Sequence, residues 1–437
     1  MSVLLEIQEP ATTPPVVTSP PAPIPAWQAS LEMGFRPLYL AGALWAALAI
    51  AVWIIAPQYI TGVLQGTAWH AHEMLWGFIA TIAVGFLITA AANWTGRNPI
   101  RGGPLAFLLG LWVIARAGFL VRGSIAFYTA AACELLFFLV AALALARVVA
   151  ISRNARNYGL PLMLLALAAT DATYLFSFHT GHHAQLMLAL DAGMLCMAAI
   201  ALLVARRVIP FFAMRAVAGL LIPMQTRSGQ FQLGVCVAAV VSQLAGLRLP
   251  LVFFLVLAGA VSLYQVLSWK PLSVLREPLL WILYLGYAAL GLGLLAAAAH
   301  ALNPQIRAAV HVHIMAMGGF SVLIIGMMTR TALGHLGRPL RLDRSMQASY
   351  WLVLAAVALR LCALQAGSHN QLLLQLAATA WISAFTLYLW RFSPMMVRPP
   401  SVKTEREITQ GKRITAPPLI KADSEMSKPA DPSLSEK

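Results

Sequence analysis

The chain has 437 residues, of which 60% are hydrophobic and 10% charged, and its mean hydropathy is +0.77. Soluble domains carry about 25% charged residues, so the composition excludes a string of ordinary soluble domains. The net charge of +15 does not indicate a nucleic-acid partner, because the basic residues separate apolar runs and form no amphipathic patch.

Residues 1–33 begin the chain with seven prolines and lack the basic start and apolar core of a signal peptide, so we predict a disordered tail. Residues 34–391 form the predicted transmembrane domain, and residues 392–437, rich in Pro, Ser, Lys and Glu, a disordered cytoplasmic tail. Between the tails, apolar runs recur at about the 20-residue length that crosses a bilayer core as a helix. The runs are 38–56, 69–92, 104–121, 124–149, 159–178, 183–205, 231–246, 249–269, 277–299, 306–329, 345–366 and 370–391.

These runs predict an all-α, polytopic transmembrane helical bundle of about 12 helices. The run at 231–246 is short and either crosses the bilayer alone or joins its neighbour. If the runs alternate in direction, only five of the 30 Lys and Arg residues fall on one side: Arg116, Arg122, Arg248, Arg307 and Arg360. Because basic residues concentrate in cytoplasmic loops, we expect both termini to be cytoplasmic.

Nine of the ten histidines then lie at or near the outer face, and only His335 lies on the cytoplasmic side. Two His-X-His pairs open long apolar runs, His70 with His72 on helix two and His311 with His313 on helix ten. Residues i and i+2 of an α-helix point about 200° apart, so the two rings of a pair face different sites. One histidine from each helix can therefore clamp a haem iron from two faces. Hydrogen-bonded histidines at a helix–helix contact are the alternative.

Other polar residues are predicted to lie inside the membrane, where burial is costly. Asp171 and Asp191 fall at similar depths on helices five and six, and Arg116 and Glu134 face each other across the hairpin of helices three and four. Such residues serve a proton route, charge compensation of a cofactor, or the packing of helices. No Walker motif, nucleophile elbow or zinc-protease helix occurs in a suitable context.

Several motifs, in order over residues 34–340, resemble the NnrS family of bacterial membrane proteins. They are Gly34-Phe35-Arg36-Pro37, Trp69-His70-Ala71-His72-Glu73-Met74, Asn93-Trp94-Thr95-Gly96-Arg97, Arg207-Val208-Ile209-Pro210, Leu285-Gly286-Tyr287 and Gly337-Arg338-Pro339. Tyr284 departs from the family pattern, because a histidine is expected there.

The resemblance implies a twelve-helix inner-membrane protein that contains haem and copper and takes part in the response to nitric oxide or nitrosative stress. The haem candidates are His72, His313, His70 and His311, and the copper candidates are His70, His311, Glu73 and Met74. Further polar candidates are Asp171, Asp191, Glu134, Arg116, Arg36 and His335. If the protein is an enzyme, the resemblance implies redox chemistry on nitric oxide or a nitrosyl species, and the lipid bilayer and this small molecule are its expected partners.

Two other functions remain open at the level of sequence. A proton-coupled secondary transporter would use Asp171, Asp191 and Glu134, although the two halves of the chain show none of the internal likeness typical of transporters. An assembly protein would use the outer histidines to pass copper or haem to a reductase.

Overall fold

The structure is a computed structural model that describes residues 25–398 apart from 224 and 366. Within this range the chain is helical, without a β-strand. A five-residue helix, Ala26–Ser30, precedes the long helices. The long helices are α1 (Phe35–Ile55), α2 (Gly66–Thr95), α3 (Gly103–Leu120), α4 (Ser124–Ile151), α5 (Gly159–His179), α6 (His183–Ala216), α7 (Thr226–Leu244), α8 (Arg248–Ser268), α9 (Pro278–Leu302), α10 (Ala308–His335), α11 (Arg344–Cys362) and α12 (Asn370–Met396).

Eleven of these described helices are long and apolar enough to cross a membrane, which confirms a polytopic helical bundle. The exception is α7, which corresponds to the short predicted run at 231–246. This helix carries Gln232, whose amide donates to Ser262 Oγ of α8 at 2.8 Å, and Ser242 and Gln243 near its end. These polar side chains lower the hydropathy of α7. They explain why the number of membrane-spanning helices could be predicted from the sequence only to within one.

Helices α2, α6 and α10 contact one another at the centre of the bundle. Their neighbours in sequence pack around them, and α1 closes the ring by packing against α12. The central position of α2 agrees with its composition, since the helix is apolar over most of its length after the histidine pair, and most of it is buried by protein, unlike α3. A helix that is apolar on all sides can be buried on all sides.

Both His-X-His pairs end a stretch of α-helix and are followed by a π-helical segment. In α2 the segment is Glu73–Ala80, and in α10 it is Ile314–Ser321. The wider turns leave carbonyl groups five residues back that hydroxyl side chains reach, since Thr81 Oγ1 donates to the Trp76 carbonyl at 3.3 Å and Ser321 Oγ to the Ala316 carbonyl at 2.7 Å. Insertions of π-helix often mark functional positions, and here each begins directly after a histidine pair.

The predicted tails fall mostly outside the described residues, which begin at 25 and end at 398. Residues 26–30, within the predicted N-terminal tail, form the short helix. Helix α12 continues to Met396, five residues past the predicted end of the transmembrane domain. Arg36 lies at that end of α12, where its Nη1 donates to the carbonyls of Met396 and Arg398 at 3.1 Å each. Cations stabilise a helix C-terminus. Arg36, at the start of α1, therefore links the first long helix to the end of the last one, α12.

Candidate functional site

The two histidines of each pair face different surroundings, as the i to i+2 spacing predicts. His70 and His313 line one cavity between α2 and α10, of about 310 Å³, called here the central cavity. His72 points away from it into a buried cluster of charged side chains. His311 points into a second cavity of about 300 Å³, called here the His311 cavity.

The central cavity has an apolar and aromatic lining with few polar groups. Trp53 of α1, Met74 of α2 and Trp381 of α12 contribute to its walls, and Arg360 of α11 supplies a cation. The cavity thus has the composition usual for a bound cofactor, which is a mostly apolar wall with a small number of placed polar groups.

The His70 ring is held by an aromatic contact. It stacks on the Trp53 indole with ring centroids 5.4 Å apart and an interplanar angle of 7°. Its Nδ1 is buried, and no group among the described residues hydrogen-bonds to it. An unpaired buried polar atom is costly, so this imidazole is suited to receive a ligand that the protein itself does not provide.

The His313 ring is oriented by the backbone of its own helix. Nδ1 lies 2.6 Å from the Ala309 carbonyl, which can only accept, so Nδ1 carries the proton. Nε2 then holds a lone pair, and it accepts from Arg360 Nε at 3.1 Å. A backbone carbonyl that fixes the tautomer and leaves the other nitrogen basic is the usual arrangement of a metal-binding histidine.

His72 lies in a cluster with Glu73, Arg116, Glu134 and Asp171, called here the His72 cluster. His72 Nδ1 is 3.0 Å from Glu73 Oε1. His72 Nε2 is 3.0 Å from Asp171 Oδ1 and 3.2 Å from Glu134 Oε2. Arg116 Nη1 pairs with Glu73 Oε2 at 2.5 Å, and Nη2 pairs with Glu134. Arg116 and Glu134 therefore form the ion pair that the sequence predicted across the α3–α4 hairpin.

Four helices build the His72 cluster, and a glycine makes room for it. The side chains come from α2, α3, α4 and α5, and none is more than 3% exposed. Gly77 lies one turn beyond Glu73, and a Cβ there would come within 2.2 Å of Arg116 Nη1 and 2.8 Å of Glu73 Oε2. Trp45 Nε1 also donates to Glu73 Oε2, at 2.6 Å. The absent side chain at position 77 thus lets the Arg116 guanidinium reach α2.

The His311 cavity is lined by a second histidine, His300, which lies beside His311. The His300 ring of α9 stacks on His311 with centroids 5.1 Å apart. Asp191 Oδ1 lies 3.7 Å from His311 Nε2, and two thioethers, Met194 and Met315, line the cavity. Imidazole and thioether groups are ligands that copper accepts.

The remaining predicted residues are distributed over several places. Met74 lines the central cavity with His70, but Glu73 belongs to the His72 cluster, so the predicted copper group of His70, His311, Glu73 and Met74 is not brought together. Asp171 and Glu134 meet at His72, whereas Asp191 lies in the His311 cavity. His335 packs on Phe35 at 5.4 Å, far along α10 from the histidine pair.

Tyr284, which stands where the family pattern has a histidine, lies away from both cavities. Its hydroxyl donates to the Trp269 carbonyl at 3.1 Å, and it is absent from the described linings of the two cavities. The departure at this position therefore removes no group from the central cavity or the His311 cavity.

Sequence reasoning missed Trp53, His300 and Arg360 as members of these sites. Arg360 carried a signal, because it is one of only five basic residues assigned to the outer side and lies within an apolar run. Trp53 resembled an interfacial tryptophan, and His300 a solvated loop residue. Their roles depend on which helices pack together, which no spacing within one helix reveals.

Comparison with curated proteins gives no match to this chain. A family model described as NnrS protein matches residues 29–399 of the 437. The match covers most of the chain, including every helix that lines the two cavities and the His72 cluster. The chain is therefore a multi-pass helical membrane protein that belongs to the NnrS family.

Proposed function

We propose that this protein binds haem in the central cavity, between the imidazoles of His70 and His313, and acts in the response to nitric oxide in a bacterial inner membrane. The observation that carries the proposal is the convergence of these two histidines, from α2 and α10, on one apolar cavity. The sequence left both His70 and His72 open as the partner of His313, but His72 is fully buried in the charged cluster. We therefore propose that His70 would hold the haem together with His313.

The groups around the cavity fit a haem. Unprotonated imidazole nitrogen is a common ligand of haem iron. The His70 ring has an unpaired nitrogen, and His313 Nε2 would become available when Arg360 Nε, which donates to it here, turns to the carboxylates of the haem. The apolar walls match the faces of a porphyrin. Arg360 matches its acidic substituents, since a guanidinium pairs with carboxylates. When bound, the haem would supply an iron centre able to take up nitric oxide or exchange an electron.

The chain itself would control that iron through three groups. The Ala309 carbonyl holds the His313 proton on Nδ1 and so keeps Nε2 basic. Trp53 fixes the plane of the His70 ring by stacking on it. Arg360 places a positive charge beside His313, and a nearby cation in an apolar surrounding favours the electron-rich state of a redox centre.

We assign copper, the second metal that the family resemblance implies, to the His311 cavity. His311 and His300 would hold it, with Asp191 and the thioethers of Met194 and Met315 nearby. The copper would supply a second redox-active centre, separate from the haem. This assignment replaces Glu73 and Met74 with groups that lie beside His311.

The test is an optical spectrum with metal analysis of the full chain purified in detergent. We expect a haem Soret band in the wild type that is lost or shifted in both His70→Ala and His313→Ala. His369→Ala, in an exposed loop, should leave the band unchanged, and His311→Ala should lower copper while keeping haem. A wild type without a Soret band, after expression with adequate haem, would contradict the proposal.

A further inference from the structure

The His72 cluster holds more negative charge than its own cations balance. Glu73, Glu134 and Asp171 contribute three carboxylates, and Arg116 contributes one permanent positive charge. All four side chains are buried, with Glu73 and Asp171 fully inaccessible to solvent. An unbalanced charge in such a place is expensive, so the cluster is suited to an additional cation.

The hydrogen bonds of the cluster place that cation on one side of the His72 ring. Glu73 accepts from Trp45 and Arg116, and its other oxygen faces His72 Nδ1. In a neutral imidazole with its proton on Nδ1 beside Glu73, Nε2 would present a lone pair toward Asp171 Oδ1 and Glu134 Oε2. A metal ion would then take the place that a proton on Nε2 holds in the imidazolium.

Asp171 Oδ2 has no partner among the described residues, and Glu134 Oε2 has only the ion-pair contact with His72 Nε2 at 3.2 Å. Glu134 Oε2 and Asp171 Oδ2 are buried, and no hydrogen bond reaches either from the described residues. Glu134 is 2% exposed and Asp171 0%. This is a separate sign that the cluster is built for a ligand, because native proteins rarely leave buried carboxylate oxygens without a donor.

The distances match those between ligands of a single metal ion. His72 Nε2 lies 3.0 Å from Asp171 Oδ1 and 3.2 Å from Glu134 Oε2. Two donor atoms that each bind a first-row metal at about 2.1 Å are about 3.0 Å apart when they subtend a right angle. Suitable atoms of the three residues all lie within 4.8 Å of one another.

We propose that His72, Glu134 and Asp171 bind a divalent metal ion of the manganese, iron(II) or zinc class, separate from the haem and copper of the proposed function. A divalent ion with a neutral imidazole brings the cluster to zero net charge, whereas an imidazolium alone leaves one negative charge. No sulfur atom belongs to the cluster, and mixed imidazole and carboxylate ligands favour these metals over copper(I).

The remaining residues of the cluster would support the ligands. Glu73 orients His72 from Nδ1, in the carboxylate–histidine–metal arrangement. Arg116 holds the second oxygen of Glu134, which leaves Oε2 turned toward Nε2. Phe119 and Tyr174 pack on the ring, with centroids 4.8 and 5.9 Å away. The ion would thus join α2, α4 and α5 at one point.

The experiment measures metal content and haem content in the same samples. The full chain is expressed with equal added Mn²⁺, Fe²⁺, Cu²⁺ and Zn²⁺, purified in detergent with EDTA, and analysed for each element, with haem iron subtracted. We expect one equivalent of manganese, non-haem iron or zinc per wild-type chain. Asp171→Asn and Glu134→Gln should each lower that metal at least about 10-fold, since even residues behind the ligands cost 10- to 100-fold.

Asp343→Asn makes the same chemical change at a half-exposed carboxylate outside the cluster, and it should keep the metal. Haem content and elution profile report folding independently of this site, so failure of the metal proposal leaves the haem proposal intact. If the cluster variants fail to fold, the metal content of the wild type still tests the proposal. Substoichiometric metal in the folded wild type, or full metal in both folded variants, would overturn the proposal.

Discussion

At the scale of single residues, two histidines two positions apart have entirely different surroundings. His70 stacks on Trp53 beside an apolar cavity, while His72 has carboxylates at both ring nitrogens. The first arrangement leaves a nitrogen free for an iron, and the second suits a cation held by oxygen. The helical spacing of the pair, more than the residue type, determines the surroundings of each ring.

Gly77→Ala should damage the His72 cluster. The new Cβ would lie 2.2 Å from Arg116 Nη1 and 3.1 Å from Trp45 Nε1, so the ion pair between Arg116 and Glu73 must open. Overpacking of a buried site costs about 1–3 kcal/mol, and we expect a lower midpoint of thermal unfolding by tryptophan fluorescence. Gly110→Ala on α3, where a Cβ meets nothing within 4 Å, is the matched control. Equal midpoints for the two variants would contradict the prediction.

At the scale of elements, the start of α11 is fixed by a side chain that the sequence shows plainly. Asp343 precedes α11, and its Oδ1 accepts from the Met346 amide at 3.0 Å and the Ser345 hydroxyl at 2.6 Å. Its other oxygen pairs with Arg391 of α12. Partial burial raises the pKa of Asp343, but these hydrogen bonds outweigh burial and hold its pKa below the ordinary value.

Asp343→Ala should therefore destabilise the α11–α12 hairpin. Loss of an N-cap costs about 1 kcal/mol, and Asp343→Asn should retain most of the cap. Because the folded-state pKa is lowered, the contribution is present above the unfolded-state pKa and is lost as pH falls through the folded-state value. Thermal unfolding of the wild type and the two variants at neutral and acidic pH measures this pH-dependent contribution to stability. A difference between wild type and Asp343→Ala that grows on acidification would contradict it.

At the scale of the whole molecule, the membrane orientation rests on charge and on the parity of the helix count. Most basic residues fall at one end of the bundle if all twelve long helices cross the membrane. Helix α7 is the one whose hydropathy falls below that of the eleven candidate membrane spans. If α7 crosses, both termini lie on the same side.

Reporter fusions test this orientation. We expect a fluorescent protein fused to either terminus to fluoresce and alkaline phosphatase fused there to be inactive, because basic residues concentrate in cytoplasmic loops. Fusions in the 179–183 loop should behave in the opposite way. Phosphatase activity at one terminus alone would mean that an odd number of helices crosses.

Much of this architecture was predictable because its signals are local. Apolar runs of membrane length predict helices, and the i to i+2 spacing predicts that His70 and His72 diverge. The partners of those histidines were not predictable, because Trp53, His300 and Arg360 reach the sites from α1, α9 and α11 only through tertiary packing. The i+3 and i+4 spacing groups Glu73 and Met74 with His70, but only Met74 lies beside His70 at the central cavity, whereas Glu73 faces His72.

The most direct test of the central claim is electron paramagnetic resonance of the oxidised, haem-loaded protein in variants at positions 70 and 313. Two imidazole ligands give low-spin ferric haem, and removing one leaves a high-spin centre. We predict a low-spin signal in the wild type and in His369→Gly, a high-spin signal in His70→Gly and in His313→Gly, and recovery of the low-spin signal when free imidazole is added. An unchanged low-spin signal in His70→Gly would contradict the assignment of the haem to the central cavity between His70 and His313.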